Sequence, residues 1–585
     1  MLEKSLLFIS VKERPTFLEH GFNIFILVAS DENDCYTDHN GPDVSAALLN
    51  VRMDKFDDRP LLSVVLVVGL YILACVVGGI VIYYGPNYNL EFVGKFEAGL
   101  QGNNINTKAE PNAAQYTVPE SNTLSMLSKE VNKRKKKSYL NHNIDLEDEQ
   151  CKEVVAPTSL NNNLYGSCED SANKKPTLAA ALKRSKTAFN SKARSRQYIW
   201  LLLTIGIYYT LPVIQLVLLY QSMSSVDGNR DLCYYNNECQ YPLVGIQDFG
   251  NFFSNVGYIV HGIFFSFIVG YRWMKYKEFK KKVNAVGKKH TTGIPEQFGI
   301  FASLGLALIL EGLLSACYHI CPTTRNFQFD TTFMYVIAIL LFLKLFQFRH
   351  PNLTQTAHRL FFLIGMVLIE ESLGYYIKSF VFTIIFIISY MLVLLNFLFH
   401  IYWDGDSPGI NKVSKQIIKT CLSVLENTQE LKRIPWAFIS LLLLNISIAV
   451  YILIAQQPDR SSMYLLIIFM VNMAVYLLFY MSMKLYHSLV LKEKNESIRW
   501  ISWFYFVLAH CFALPSLYFF QSVQRNSNLT AAESRNLNAP CSIGIFDMHD
   551  IWHFLSASGL FYLFLFILTL EDSNLTVDRE LITVF

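Results

Sequence analysis

Five polar residues have the types and spacing to do chemistry: Ser315, His319, Asp330, His549 and His553. Ser315 and His319 lie near the end of one apolar stretch, Asp330 opens the next, and His549 and His553 open the last. An Asp at mid-membrane costs roughly 2.5–3.5 kcal/mol on insertion scales, so ionisable groups in spanning helices generally serve a site. Ser315 and His319 are four residues apart, as are His549 and His553, so each pair shares one helix face. Three imidazoles and a carboxylate at one membrane face are a donor set suited to zinc. The run His549-Asp550-Ile551-Trp552-His553 is only superficially like the His-Glu-x-x-His pattern of zinc proteases, because the shorter Asp550 replaces the glutamate. A packing role for such a His pair is the alternative to metal binding.

The elements that must position these residues are transmembrane helices. The chain has 585 residues, 52% hydrophobic and 17% charged, with a mean hydropathy of +0.27. Soluble proteins carry about 25% charged residues, and about 20 consecutive apolar residues span a bilayer as a helix. About eleven such windows are centred near residues 72, 210, 261, 309, 337, 365, 389, 445, 473, 510 and 561. The expected fold is an all-α polytopic membrane protein of about eleven transmembrane helices, with a short extracellular β remnant at the N-terminus. The net charge of +3 is too small to argue for nucleic acid by itself.

The expected organisation follows. Residues 1–59 hold two candidate strands, Ser5–Val11 and Gly21–Ala29, rich in Phe, Ile and Val. Two strands cannot bury a core, so either a partner supplies the rest or, the reading favoured here, the segment is the remnant of a truncated ectodomain or the product of an alternative start. Residues 60–84 form the first span. Residues 85–197, rich in Asn, Ser, Lys and Glu without apolar periodicity, read as a disordered basic cytosolic loop. Residues 198–572 form a ten-helix bundle containing the zinc site, and residues 573–585 a cytosolic tail.

Basic residues cluster on one side, at 133–137, in Met274–Lys289, in Asn411–Arg433 and in Lys484–Arg499. By the positive-inside rule these segments are cytosolic, with the N-terminus outside and the C-terminus in the cytosol. Arg52, Lys55 and Arg59 oppose this reading before the first helix and are outvoted by the later loops. The ends bearing His319, Asp330, His549 and His553 then share the outer leaflet, a placement obtained without using the histidines. Cys35, Cys233, Cys239, Cys321 and Cys541 fall on the same side, where disulfides are favoured, although five cysteines leave the pairing open. Asn528 is the credible outer glycosylation site.

Other polar positions carry less. Glu311, one turn below Ser315, reads as a group hydrogen-bonded within the bundle or part of a polar pathway. Asn251 and Asn255 read as ties between helices, and His261 as a packed histidine. Leu478–Lys484 fits a weak proposed cholesterol pattern.

The pattern Ser315-Ala-Cys-Tyr-His319, then Asp330, then His549-x3-His553 resembles the CREST membrane-hydrolase superfamily, which includes alkaline ceramidases and adiponectin-receptor-like proteins. The resemblance implies Zn2+ held by His319, His549 and His553, with Asp330 and Ser315 orienting a metal-bound water. A resemblance covering nearly the whole chain rests on Leu232-Cys-Tyr-Tyr235, Asn251-Phe-Phe-Ser-Asn255-Val-Gly-Tyr258, Ser315 to Pro322, Asn326-Phe-Gln-Phe-Asp330 and Met548 to Ala557. These blocks are similar to the systemic-RNAi-defective (SID) transmembrane family. That implies double-stranded RNA uptake, membrane lipids or cholesterol as further partners, and a homodimer, in the plasma membrane or an endolysosomal membrane. The family's large β-rich ectodomain is missing here except for its last strands, which puts ectodomain RNA binding in doubt. Three functions follow: double-stranded RNA transport, zinc-dependent hydrolysis of a lipid amide or ester, and sterol binding or transport. A zinc that merely clamps two helices also fits.

Overall fold

The computed structural model describes residues 59–84, 177–179, 182, 191–226, 232–243, 245–285, 292–295, 298–323, 326–349, 357–377, 379–402, 436–455, 461–522 and 530–584. Two units divide the chain, Met1–Asn87 with Pro176–Phe585, and Tyr88–Lys175, and every described element belongs to the first. The expected strands in residues 1–59, most of the basic segment 85–197, Cys35 and Asn528 lie outside the described residues.

Each apolar window forms a helix. They are α1 (Arg59–Tyr84), α2 (Ser191–Val226), α3 (Val256–Ala285), α4 (Phe298–Ile320), α5 (Gln328–Arg349), α6 (Ala357–Tyr376), α7 (Phe380–Tyr402), α8 (Trp436–Ala455), α9 (Ser461–Leu489), α10 (Trp500–Ser522) and α11 (Met548–Thr569). Eight are long and apolar enough to cross a membrane, and the described apolar runs in α6, α7 and α8 are shorter. Among the described residues there is no sheet; β-pairing is confined to isolated bridges such as Thr177 with Thr583 and Thr292 with Asp578. This is a polytopic all-α membrane protein.

Burial grades the helices. Most of α4 and α5 is enclosed by other helices, while α1 and α10 expose Leu62, Ile72, Val507 and Leu514 along their length. Such apolar exposure suits hydrocarbon. Close backbone approach holds the inner helices together, as small residues do between membrane helices. A Cβ added at Gly262 of α3 would stand 2.8 Å from the carbonyl oxygen of Gly305 on α4. One added at Gly312 would stand 2.9 Å from the Asn255 carbonyl oxygen. Polar side chains pair across the outer helices. Asn445 of α8 and Asn472 of α9 exchange two amide hydrogen bonds of 2.8 Å, and Ser389 of α7 donates to Glu370 of α6 at 2.6 Å.

At the end where α5 and α9 finish, four charges are buried together. The Arg349 guanidinium donates to both Glu496 oxygens at 2.9 and 2.6 Å, to Glu571 at 3.0 Å, to the Tyr480 hydroxyl at 3.0 Å and to the Thr583 carbonyl at 3.0 Å. Lys484 lies 3.1 Å from Glu496 and 3.0 Å from Glu571. Asn574 donates to Glu571 at 2.6 Å. Two cations and two anions cancel, which is what makes their burial tolerable. Two sequence expectations change here. Tyr480 and Lys484, the polar members of the cholesterol pattern, face this network rather than lipid. The segment after Asn574 also packs: Gly293 donates to the Val577 carbonyl at 2.7 Å, and Leu178 to that of Ile582 at 2.8 Å. Helix α2 begins at Ser191, within the stretch read as loop, because its basic first turns lead directly into the apolar window.

Two outcomes test this packing. Removing one partner of a buried pair leaves the other uncompensated, so Arg349→Leu destabilises the detergent-purified protein by about 3–5 kcal/mol in an unfolding titration. Gly262→Val forces α3 from α4 and lowers the unfolding temperature, whereas Gly69→Val, whose added atoms meet open space, leaves it unchanged.

Candidate metal centre

The three histidines predicted from spacing come together. His319 ends α4, and His549 and His553 occupy the first turns of α11. Their Nε2 atoms form a triangle with sides of 3.1 Å (His319 to His553), 3.2 Å (His549 to His319) and 2.9 Å (His553 to His549). His319 and His553 are buried and His549 is half-buried.

Hydrogen bonding among the three rings does not account for this triangle. A neutral imidazole nitrogen either donates or accepts, never both. In a ring of three, at least one pair must therefore set lone pair against lone pair or proton against proton. A shared cation removes the conflict, because all three lone pairs then point at one centre. Tetrahedral zinc with Zn–N of about 2.0–2.1 Å separates its nitrogen ligands by roughly 3.3 Å, close to the observed sides. The donor set fits zinc and could supply three of four ligands.

The surrounding chain explains why the rings converge. Asp547 caps α11, accepting from the backbone N–H of His549 at 2.8 Å and of Asp550 at 3.1 Å. Asp550 accepts in return from the Asp547 N–H at 2.9 Å, completing a capping box. Asn236 donates to the other Asp547 oxygen at 3.0 Å. The Cys239–Cys541 disulfide ties this loop to the segment leading into α11. Cys233–Cys321 ties it to the residue just after α4, two positions past His319. Tyr235 donates to the Ile320 carbonyl at 2.7 Å. Burial, and then the Asp248 carboxylate, pushes the Tyr235 phenol up to about 12, keeping that donor protonated. Four of the five cysteines expected on the outer side are thus paired, a connectivity their number alone left open.

Ser315 and Asp330 meet as well. The Ser315 hydroxyl donates to the Asp330 carboxylate, and both residues are buried. Ser315 sits one turn, ~6 Å along the axis, below His319. The turn joining α4 to α5 is held by Asn326, which accepts from the Thr323 N–H at 2.7 Å and donates to the Cys321 carbonyl at 2.9 Å. That turn brings Asp330 back against α4.

Other expectations sort differently. His261 is a packed histidine, stacked 4.8 Å from Phe561. Asn251 and Asn255 bond locally rather than between helices: Asn251 donates to Asp248 at 2.7 Å, and Asn255 to the Asn251 carbonyl at 2.9 Å. Glu311 is fully buried. Sequence reasoning missed Tyr258, whose hydroxyl lies 3.4 Å from His553 Nδ1 and hydrogen-bonds Ser556. It also missed the Asp547 cap, although Asp547-x-x-Asp550 before an apolar run is a legible helix start.

Known proteins supply the context for this geometry. The chain is 38% identical to SID1 transmembrane family member 1 of Homo sapiens over 395 residues, 66% of this chain and 46% of that protein. It is 31% identical to cholesterol uptake protein 1 of Caenorhabditis elegans over 395 residues, 65% of this chain and 50% of that protein. The chain spans about half the length of these curated relatives. The family described as dsRNA-gated channel SID-1 matches residues 6–585, essentially the whole sequence, and the chain belongs to that family.

Proposed function

We propose that this chain is a multipass membrane protein that helps double-stranded RNA cross a membrane, with Zn2+ held by His319, His549 and His553. The observation carrying the transport reading is membership of the SID-1 family along residues 6–585. The observation carrying the metal is the Nε2 triangle. In this reading α1 to α11 are eleven crossings, the N-terminus and the histidines are outside, and the C-terminus is cytosolic. Paired Cys233–Cys321 and Cys239–Cys541 at the histidine end support that orientation, because disulfides persist in oxidising compartments. The described basic residues of α3, such as Lys275 and Lys282, and those of Lys484–Arg499 lie toward the other end. A homodimer in the plasma membrane or an endolysosomal membrane completes the proposal.

A specific observation favours a second reading, hydrolysis of a lipid amide or ester. Three imidazoles would leave a fourth position on a zinc ion for water, and Ser315, bonded to Asp330, lies one turn deeper than His319 on α4. Zinc in such a site supplies a Lewis acid and water acidified toward neutrality. Asp330 is then the residue that takes a proton, and Ser315 holds its carboxylate in place by donating to it. Because that hydroxyl is engaged with Asp330, Ser315 acts as a positioning residue. Sterol binding or transport is a further reading, drawn from the name of the Caenorhabditis elegans relative.

Metal analysis of the purified chain gives about one zinc per chain, and His553→Ala removes most of it; an unchanged metal content in the variant defeats the zinc assignment. Asp330→Asn keeps the metal and lowers lipid hydrolysis by about 10²–10⁴-fold, the usual weight of a general acid–base group. Cells expressing the chain take up labelled double-stranded RNA above background, and uptake equal to untransfected cells defeats the transport reading. His549→Ala cells that lose hydrolysis but keep RNA uptake separate the two functions.

A further inference from the structure

The end of the bundle away from the histidines holds two charge clusters, and only one of them is complete. The Arg349–Lys484–Glu496–Glu571 network is neutral and its members are paired. Beside it, Asp572 stands between two arginines. Arg272 of α3 forms an ion pair with Asp572 through Nη2, and Arg499, just before α10, approaches the other Asp572 oxygen at 3.9 Å, beyond hydrogen-bond reach. The sum of these three groups is +1.

The donors are unmatched as well. Arg272 is 5% exposed, and its Nε and Nη1 have no hydrogen-bond partner. The hydroxyl of Ser573, next to Asp572, is buried and likewise unpaired. Buried guanidinium N–H groups without an acceptor are costly. Asp572 Oδ2 is itself a buried acceptor without a hydrogen bond, but one idle acceptor does not match the surplus positive charge and three idle donor groups, which suit an anion with more than one oxygen.

The surroundings indicate what carries that anion. Arg499 is 34% exposed at its side chain, and it also donates to the Tyr84 carbonyl at the end of α1, at 3.3 Å. Tyr84 packs edge-on against Trp500, with ring centres 5.2 Å apart, and both rings are exposed. Exposed Tyr and Trp rings mark the headgroup level of a bilayer. Exposed Lys275, Lys281 and Lys282 follow Arg272 on α3. The arginines therefore sit where lipid phosphates lie, next to the apolar flank of α1.

We propose that Arg272, Arg499 and Ser573 form a binding site for the phosphate of an anionic phospholipid, in the leaflet opposite the histidine centre. A headgroup carrying one net negative charge neutralises the cluster and accepts from the idle donors, as arginine forks do for phosphate. A zwitterionic headgroup brings its own cation to a cluster that is already positive.

The test uses the full chain reconstituted in nanodiscs of phosphatidylcholine with a minority of phosphatidylinositol, followed by native mass spectrometry and thermal unfolding. The expected result is one retained phosphatidylinositol per chain and a raised unfolding temperature relative to phosphatidylcholine alone. Arg499→Gln, a change at a partly exposed side chain, weakens retention about tenfold. Asp572→Asn, which removes the competing carboxylate, keeps or tightens it. Equal retention of phosphatidylcholine overturns the proposal, as does an Arg499→Gln variant that binds like wild type. Loss of lipid in Asp572→Asn as severe as in Arg499→Gln reduces the cluster to a structural ion pair and also overturns it. If inorganic phosphate alone reproduces the full stabilisation, the lipid assignment fails.

Discussion

Charge buried in an apolar bundle must find a partner, and this requirement fixes both ends of α11. At one end, His549 and His553 face His319 across a gap that three imidazoles cannot close by hydrogen bonding alone. At the other, Glu571 lies under Arg349 and Lys484, with Tyr480 donating to it at 2.6 Å. Between these ends α11 is almost wholly apolar and packs against α10, α3 and α1. Tyr562 of α11 donates to the Ala74 carbonyl of α1 at 3.3 Å. Polar contacts fix the two tips of the helix, and close packing positions its length between them: a Cβ added at Gly559 would stand 3.3 Å from the Ala513 nitrogen of α10.

This explains how residues distant in sequence become one site. The capping box at Asp547 sets the start of α11, and therefore the height of both its histidines. The Cys233–Cys321 disulfide and Tyr235 set the end of α4, and therefore His319, while Cys239–Cys541 ties the same loop to the segment before α11. The Asn326 turn folds α5 back so that Asp330 accepts from Ser315. Each device is local and inexpensive to encode. Their joint effect is to hold three nitrogens within 3.2 Å of one another, the kind of preorganisation a metal site requires.

Much of this was legible in the sequence because membrane helices announce themselves by composition. All eleven windows coincide with helices, and the His-x3-His and Ser-x3-His spacings marked the faces that meet. What stayed hidden depends on long-range pairing. Arg349 and Lys484 look like ordinary topology signals until Glu496 and Glu571 are brought beside them by the fold. The final segment, expected as a cytosolic tail, packs against the bundle through contacts that the sequence does not show: Ile582 is fully buried and the Thr583 carbonyl accepts from Arg349. The disulfide pairing depended on which loops lie together, which composition does not encode. Asn251 was misjudged for a related reason: its spacing from Asn255 suits contact between helices, but Asp248 is a nearer acceptor.

The central claim is that His319, His549 and His553 share one zinc ion. X-ray absorption at the zinc edge of the purified chain tests it directly, because the method counts and types the ligands. The account predicts three nitrogen neighbours at about 2.0–2.1 Å with one or more oxygens at a similar distance. A shell containing sulfur at about 2.3 Å, or no bound zinc at all, would contradict it.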